Sequence, residues 1–372
     1  MIINSYSAIY ILSILFGGLG AQSDYIEWLK KDQQAFSVYE DSITAEYKKY
    51  EMEDSRAFEN FKREVEEKWE VFKSPIKKEY VDYDDKKESR ISVNFEKGTI
   101  TVEVLLEEGK SAVKARQKLK EATEKIVKLK GEDDKPLLEN QLESPKKEKV
   151  TPANIQQLSS ELIKKDKIKV EKNHRGDDGK KRTKFTVVIP LKKNHLDERA
   201  KRYEKIVLKY SAKFAIDPAI VFAVIETESA FNPKAKSHIP AYGLMQLVPK
   251  SGARDAYLYV YKKDKYLSKR YLYTPEKNIE LGCAYLAKIK NVYFKGIMDE
   301  EKAYICVIPA YNTGIGNVSL TLTGDTKLKA ATSVANSMNT TDLYNKLTTE
   351  LKHKEARDYL TRVWERKKKY EI

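Results

Sequence analysis

The sequence predicts two folded halves, an α+β N-terminal half with an antiparallel sheet and a mainly α C-terminal half. Three observations carry this. Ile91, Val93 and Phe95 alternate with polar residues, as do Ile100, Val102 and Val104, and Lys97-Gly98 lies between the two runs; two such runs joined by a short glycine-containing turn form a hairpin. Phe185, Val187 and Ile189 alternate again further on. From Leu196 onward the apolar spacing changes to three and four, with Leu196, Ala200, Tyr203, Val207 and Tyr210 on one side of a helix. A length of 372 residues suits about two domains, and 41% hydrophobic content can supply real cores. The predicted division is a leading segment at 1–21, an α+β domain at 22–195 and a helical domain at 196–372.

The elements follow in order. Tyr6 to Ala21 is uncharged and mostly apolar, too short for a membrane span but suited to a signal-peptide core. Gly18 and Gly20 place a cleavage site before Ala21. The absence of Lys or Arg from Met1 to Ser7 keeps a short uncleaved anchor as the alternative. Residues 24–73 read as helix: Phe36, Tyr39, Ile43, Tyr47 and Tyr50, then Phe58, Phe61, Val65, Trp69 and Phe72, recur at helical spacing until Pro75. Ala115, Leu119, Ala122 and Ile126 mark a second helix, residues 131–150 a polar loop, and Thr151-Pro152 the cap of a helix through Ile163. Strands are predicted at 167–172 and 183–189, separated by the turn cluster Asn173–Gly179. His174, Asp177 and Asp178 in that cluster read as a surface turn rather than a metal site.

A net charge of +14 favours an anionic polymer as partner, a cell wall or a nucleic acid. No zinc-finger spacing, P-loop or compact basic motif names a nucleic-acid fold. The two cysteines, Cys283 and Cys306, lie in apolar helical stretches, and spacing alone does not decide between a disulfide and buried thiols.

The chemistry concentrates around Glu228. Asp217 is an N-cap and Pro218 a first helical residue for a helix through Ser229. Val221, Val224, Ile225 and Glu228 share one face, apolar but for the Glu, while Glu226 falls on roughly the opposite side. A carboxyl held against apolar surface keeps its proton near neutrality, as general-acid cleavage of a glycosidic bond requires. After it come Asn232-Pro233, a turn signal, and Ala241-Tyr242-Gly243-Leu244-Met245-Gln246. Gly243 permits a close backbone approach, and Gln246 offers the donors and acceptor that a sugar needs. Later, Ala310-Tyr311-Asn312 precedes the glycine-rich turn Thr313-Gly314-Ile315-Gly316.

The Glu228-Ser229 pair, the Gly243-Leu244-Met245-Gln246 run and the Ala310-Tyr311-Asn312 element, in this order, resemble the signature of the lytic murein transglycosylases with a lysozyme-like catalytic domain. The likeness extends through Pro275–Ile279 and Ala284-Tyr285-Leu286 to Glu355-Ala356-Arg357-Asp358-Tyr359-Leu360, covering roughly residues 197–368. Tyr80–Tyr83, Arg90–Glu96 and Gly98–Glu103 resemble, less specifically, the separate N-terminal domain of a membrane-bound branch of that family. That branch is lipid-anchored through a cysteine at its cleavage site, and here neither cysteine lies near residue 21. The expectation is therefore a soluble or weakly tethered protein of a Gram-negative periplasm, associated at most loosely with the outer membrane or a cell-wall complex.

The resemblance implies cleavage of the bond between N-acetylmuramic acid and N-acetylglucosamine without water, metal or cofactor. Glu228 first protonates the linking oxygen, then takes the proton of the muramoyl C6 hydroxyl, which closes a 1,6-anhydro ring. It implies sugar contacts for Ser237 and Gln246, a hydroxyl near the acid for Tyr311 with Asn312 beside it, an active-site role for Tyr359, support for Ser229, Gly243 and Met245, and glycan strands as partner rather than nucleic acid. No second carboxylate stands out near the motifs: Glu276 and Glu280 read as helix-start residues, and Asp255 has no distinguishing context. The alternatives are a hydrolytic lysozyme on the same fold, a non-catalytic wall-binding protein, and nucleic-acid binding through the basic surface.

Overall fold

In a computed structural model, residue 49 and residues 52–109 and 111–371 are described. The leading segment 1–21 and the positions Phe36, Tyr39, Ile43, Tyr47 and Tyr50 lie outside them. The chain divides into two compact units, Met1–Arg63 and Glu64–Ile372. Of the first, residue 49 and residues 52–63 are described and are helical.

The helix predicted to run to residue 73 stops at 66. The amides of Lys68 and Trp69 both donate to Val65 O, at 3.0 and 2.8 Å, and turn the chain. The aromatic spacing continues, but Trp69 and Phe72 reach their partners from outside the helix. Trp69 is fully buried, donates from Nε1 to Lys87 O (2.8 Å) and lies under the Arg90 guanidinium, 4.3 Å from its ring centre. Phe72 stacks on Tyr83.

Five antiparallel strands follow: β1 (Glu79–Tyr83), β2 (Ser89–Asn94), β3 (Thr99–Glu107), β4 (Lys169–Arg175) and β5 (Lys181–Pro190), in spatial order β1-β2-β3-β5-β4. The predicted alternation sets one buried face, formed by Ile91, Val93, Phe95, Ile100, Val102, Val104, Phe185, Val187 and Ile189. Helices α1 (Ala112–Lys128) and α2 (Ile155–Leu162) contribute to that core, α1 through Ala115, Leu119, Ala122 and Ile126. On the other face Arg90 and Glu103, directly opposite each other in the β2–β3 register, form a buried bidentate pair at 2.6 and 3.0 Å.

Three boundaries differ from expectation. α2 begins at Ile155 instead of Thr151, because Asn154 Oδ1 accepts from Thr151 N (2.8 Å) and Thr151–Asn154 form a turn ahead of it. The polar loop 131–150 carries no helix or strand, yet it buries Leu137, Leu138, Leu142 and Val150 in the sheet core. Both of the last strands are longer than predicted. An irregularity between Glu171 and His174 in the β4–β5 pairing keeps β4 going to Arg175. His174 is therefore a buried strand residue, accepting from Glu70 N (3.2 Å) and meeting Trp69 edge-on, not part of a surface turn.

The rest is helical: α3 (His195–Phe214), α4 (Pro218–Ser229), α5 (Gly252–Tyr261), α6 (Lys269–Tyr273), α7 (Pro275–Lys288), a π turn at Ile289–Tyr293, then α8 (Glu300–Thr313), α9 (Ile315–Thr323), α10 (Leu328–Ser337), α11 (Thr340–Glu350) and α12 (Lys354–Tyr370). α4 is the central rod, packed by α3 and α12 and buried at every position from Ala219 to Ser229. Cys283 and Cys306 are buried free thiols in its surroundings. Burial pushes the Cys306 thiol up to about 12.

Arg199 on α3 joins the two regions. Fully buried, it donates to Phe95 O (2.5 Å) and Gln141 Oε1 (2.6 Å) on the sheet side, and to Ala230 O (3.0 Å) after α4. Burial depresses its guanidinium to about 9. Ala230 itself packs into the sheet core, so the end of α4 is seated against the sheet region.

Candidate active site

Asp217 Oδ1 accepts from Ala219 N (2.8 Å) and Pro218 occupies the first turn, so α4 starts where the sequence predicts. Glu226 does not face solvent. It is buried, bonded to the Tyr370 hydroxyl and paired with Arg366 (3.3 Å) and Lys369 (3.4 Å) of α12. Two carboxylates thus leave one buried helix on different sides, and only Glu226 is matched by several cations.

α4 ends in strained backbone. Ala230 (φ 50°) and Phe231 (φ 60°) are consecutive left-handed residues without being glycine. The turn is tied by Ala230 N to Glu226 O (3.0 Å) and Asn232 N to Ser229 O (3.0 Å). Ser229 Oγ bridges Ile225 O (3.0 Å) and Leu244 O (2.7 Å), fastening α4 to the Gly243–Gln246 turn.

That turn is built around Asn278 of α7. Its Oδ1 accepts from Met245 N (2.7 Å), and its Nδ2 donates to Tyr242 O (2.9 Å) and Leu272 O (2.8 Å). Gly243 has φ 76°, and a Cβ there would stand 2.3 Å from Leu272 O. Met245 is buried, with its side chain against Gly282. Gln246, also left-handed (φ 49°), donates from Nε2 to Ala235 O (3.1 Å) and Gly243 O (2.9 Å). Its Oε1 is buried and has no partner among the described residues.

A cavity of about 530 Å³ opens over this floor. Of the sequence-predicted site residues, Glu228, Ser237, Gln246, Tyr311 and Asn312 line it. Ser229, Gly243 and Met245 lie behind the lining. The Ser237 hydroxyl is engaged within its own loop, donating to Ile239 O and accepting from Ala241 N (3.0 Å). The Tyr311 hydroxyl donates to Met245 O (2.7 Å), so it braces the turn instead of bonding Glu228. Tyr359 is buried beside the Glu228 carboxyl, close enough to affect its ionisation, but its hydroxyl closes no well-formed hydrogen bond among the described residues.

Glu228 is 4% exposed. Burial drives its pKa above the usual carboxylate range, and Lys77, with Nζ 3.3 Å from Oε2, is the main opposing influence. Burial and then the charge of Glu228 raise the Tyr311 and Tyr359 hydroxyls, so both stay protonated. A buried carboxyl with a raised pKa, flanked by neutral hydroxyls and an amide oxygen, can pass a proton to an oxygen placed in the cavity.

A family model described as transglycosylase SLT domain matches residues 205–333, and one described as membrane-bound lytic murein transglycosylase C, N-terminal domain, matches residues 30–202. Membrane-bound lytic murein transglycosylase C of Klebsiella pneumoniae is 33% identical over 354 residues, covering 88% of this chain and 92% of that protein. The chain belongs to the membrane-bound lytic murein transglycosylase C family. The same-named protein of Pectobacterium atrosepticum is 32% identical over 342 residues, 86% of this chain and 91% of its own. Among solved structures, the 70 kDa soluble lytic transglycosylase of Escherichia coli is 25% identical with a TM-score of 0.36, the match covering 47% of this chain and 25% of that one.

Among the residues of this transglycosylase C family chain that reach the site without a role in the sequence analysis, Lys77, Asn278 and Glu355 matter most. Lys77 belongs to the segment before β1, and no local spacing links it to Glu228. Asn278 was legible as a polar residue among the apolar positions of α7. Glu355, in the first turn of α12, is an exposed second carboxylate lining the same cavity; the expectation of no second candidate near the motifs is corrected, and the signal was its place in the quoted Glu355–Leu360 element. The dismissed carboxylates have other partners. Glu280 is buried and takes Lys213 (2.8 Å) and the Tyr261 hydroxyl (2.8 Å), which is more than a helix-start role. Asp255 pairs with Lys288 (3.2 Å), a context that the sequence did not reveal.

Proposed function

We propose that this chain cleaves the β-1,4 bond between N-acetylmuramic acid and N-acetylglucosamine in peptidoglycan, leaving 1,6-anhydro-N-acetylmuramic acid ends. The observation that carries the reading is one deeply buried carboxyl, Glu228, facing a cavity whose other carboxylate, Glu355, is exposed. Glu228 gives its proton to the linking oxygen as the C1–O bond breaks. The resulting carboxylate then takes the proton of the muramoyl C6 hydroxyl, whose oxygen bonds to C1, so the group returns to its starting state. The free Gln246 Oε1, with Ser237, Asn312 and the Tyr311 edge, would position the sugar, while Tyr359 flanks the acid. Ser229, Gly243 and Met245 hold the floor. No step calls for a cofactor. We assign residues 22–195 to the N-terminal domain and 196–372 to the catalytic domain. The substrate places the protein in the bacterial envelope, and among the described residues no helix is long and apolar enough to cross a membrane.

Glu355 favours a second reading, in which a carboxylate across the cavity activates water and the outcome is hydrolysis. Mass spectrometry of products from purified peptidoglycan separates the two. Anhydro ends that persist in Glu355→Gln support the transglycosylase; reducing ends that vanish in Glu355→Gln support the hydrolase.

A further inference from the structure

We infer that Lys77 is a positioning residue of the reaction: the segment before β1 delivers a cation onto Glu228 so that one carboxyl can both release a proton and take one back. The inference rests on the reading of Glu228 as the acid and base.

The geometry is specific. Lys77 Nζ lies 3.3 Å from Glu228 Oε2, and its own backbone is held over the site by Asn232, whose Nδ2 donates to Lys77 O (3.3 Å). Asn232 follows the strained turn that ends α4 and is fully buried. The neighbouring Lys78 pairs with Glu96 (2.5 Å), which also meets Arg366 of α12 (3.3 Å). Lys77 is therefore held from both regions of the second unit. Its side chain remains about a third exposed and lines the cavity, so an entering glycan meets it.

The chemistry needs such a group. A carboxyl buried among apolar residues and tyrosines gives up its proton with difficulty, and burial is the largest influence on Glu228. The other groups facing it do not supply a counter-charge in contact. Tyr311 of α8 and Tyr359 of α12 are neutral hydroxyls; Glu355 of α12 is a like charge. Lys352, His353 and Lys354 line the cavity near the start of α12, and Arg362 lies on α12 beyond Tyr359. The loop 237–248 brings to the lining only the uncharged Ser237, Ile239, Ala241, Gln246 and Val248. On the far side of α4, Arg366 and Lys369 are engaged by Glu226. Lys77 alone among the described cations pairs with Glu228.

The test is the pH dependence of kcat/KM for release of soluble muropeptides from purified peptidoglycan by the full chain, since its alkaline limb reports loss of the essential acid in the free enzyme. Removing an opposite charge at this range raises a carboxyl pKa, so Lys77→Met should move the alkaline limb up by about one pH unit or more, and Lys77→Gln, which keeps a donor, should do the same. Lys77→Arg should retain the wild-type limb. A limb that stays in place in both Lys77→Met and Lys77→Gln, or that moves equally in Lys77→Arg, overturns the inference. Glu228→Gln is run alongside: if it still cleaves, the acid–base reading itself falls; if it is inactive and the limbs do not move, only the role of Lys77 falls.

Discussion

At Glu228, burial and an ion pair pull in opposite directions, and burial prevails. The sign has a cost for stability. A folded pKa above the ordinary carboxylate value means that the group favours folding below that value, and the contribution is lost as pH rises through the folded pKa. Glu228→Gln should therefore melt higher than wild type at neutral pH, with the difference shrinking toward pH 4, while activity falls by about 10²–10⁴-fold. Calorimetry at two pH values and a turbidity assay check both halves. Glu103 has the opposite sign. Burial alone would raise it, but Arg90 outweighs burial and holds it below the ordinary range. Its contribution is present above the ordinary carboxylate pKa and lost as pH falls. Glu103→Gln should cost about 3 kcal/mol in urea unfolding at pH 7, because the Arg90 charge stays buried without its carboxylate.

At the scale of elements, the turn that floors the cavity depends on Gly243 within it and on Asn278 behind it. Gly243→Ala places a left-handed alanine against Leu272 O, which should destabilise by about 2 kcal/mol or more, and it should lower kcat by disordering Gln246. Asn278→Ala removes the acceptor of Met245 N–H and one donor each to the Tyr242 and Leu272 carbonyls, and should reduce activity while leaving the sheet region folded, as hydrogen exchange would show. The sequence announced the hairpin of β2 and β3 and the start of α4, because period-two alternation and an Asp-Pro cap are local signals. It did not announce where the helix before Trp69 stops. The aromatic spacing runs on past residue 66, and only the pocket between Arg90 and His174 draws Trp69 out of helical backbone. Nor was the full burial of α4 legible: spacing put Glu226 on the side away from Glu228, but did not show the Arg366, Lys369 and Tyr370 of α12 that meet it there.

At the scale of the whole second unit, Arg199 carries a buried charge that pairs with no carboxylate among the described residues. It is met by two carbonyls and an amide oxygen drawn from both regions, with the His195 ring Nδ1 3.0 Å from Nη2. Arg199→Met should orphan all three acceptors and destabilise by more than about 3 kcal/mol. The expected signature is loss of a single cooperative transition, with the sheet and helical regions melting apart by calorimetry. The sequence by itself determined the antiparallel strands and the helical second half, since each is written in spacing along the chain, and it carried the motifs whose resemblance singled out Glu228. Tertiary structure alone decided what surrounds that carboxyl. Lys77 comes from the segment before β1 and Tyr359 and Glu355 from the last helix, and their charges and burial act through space on a group that no local pattern connects to them.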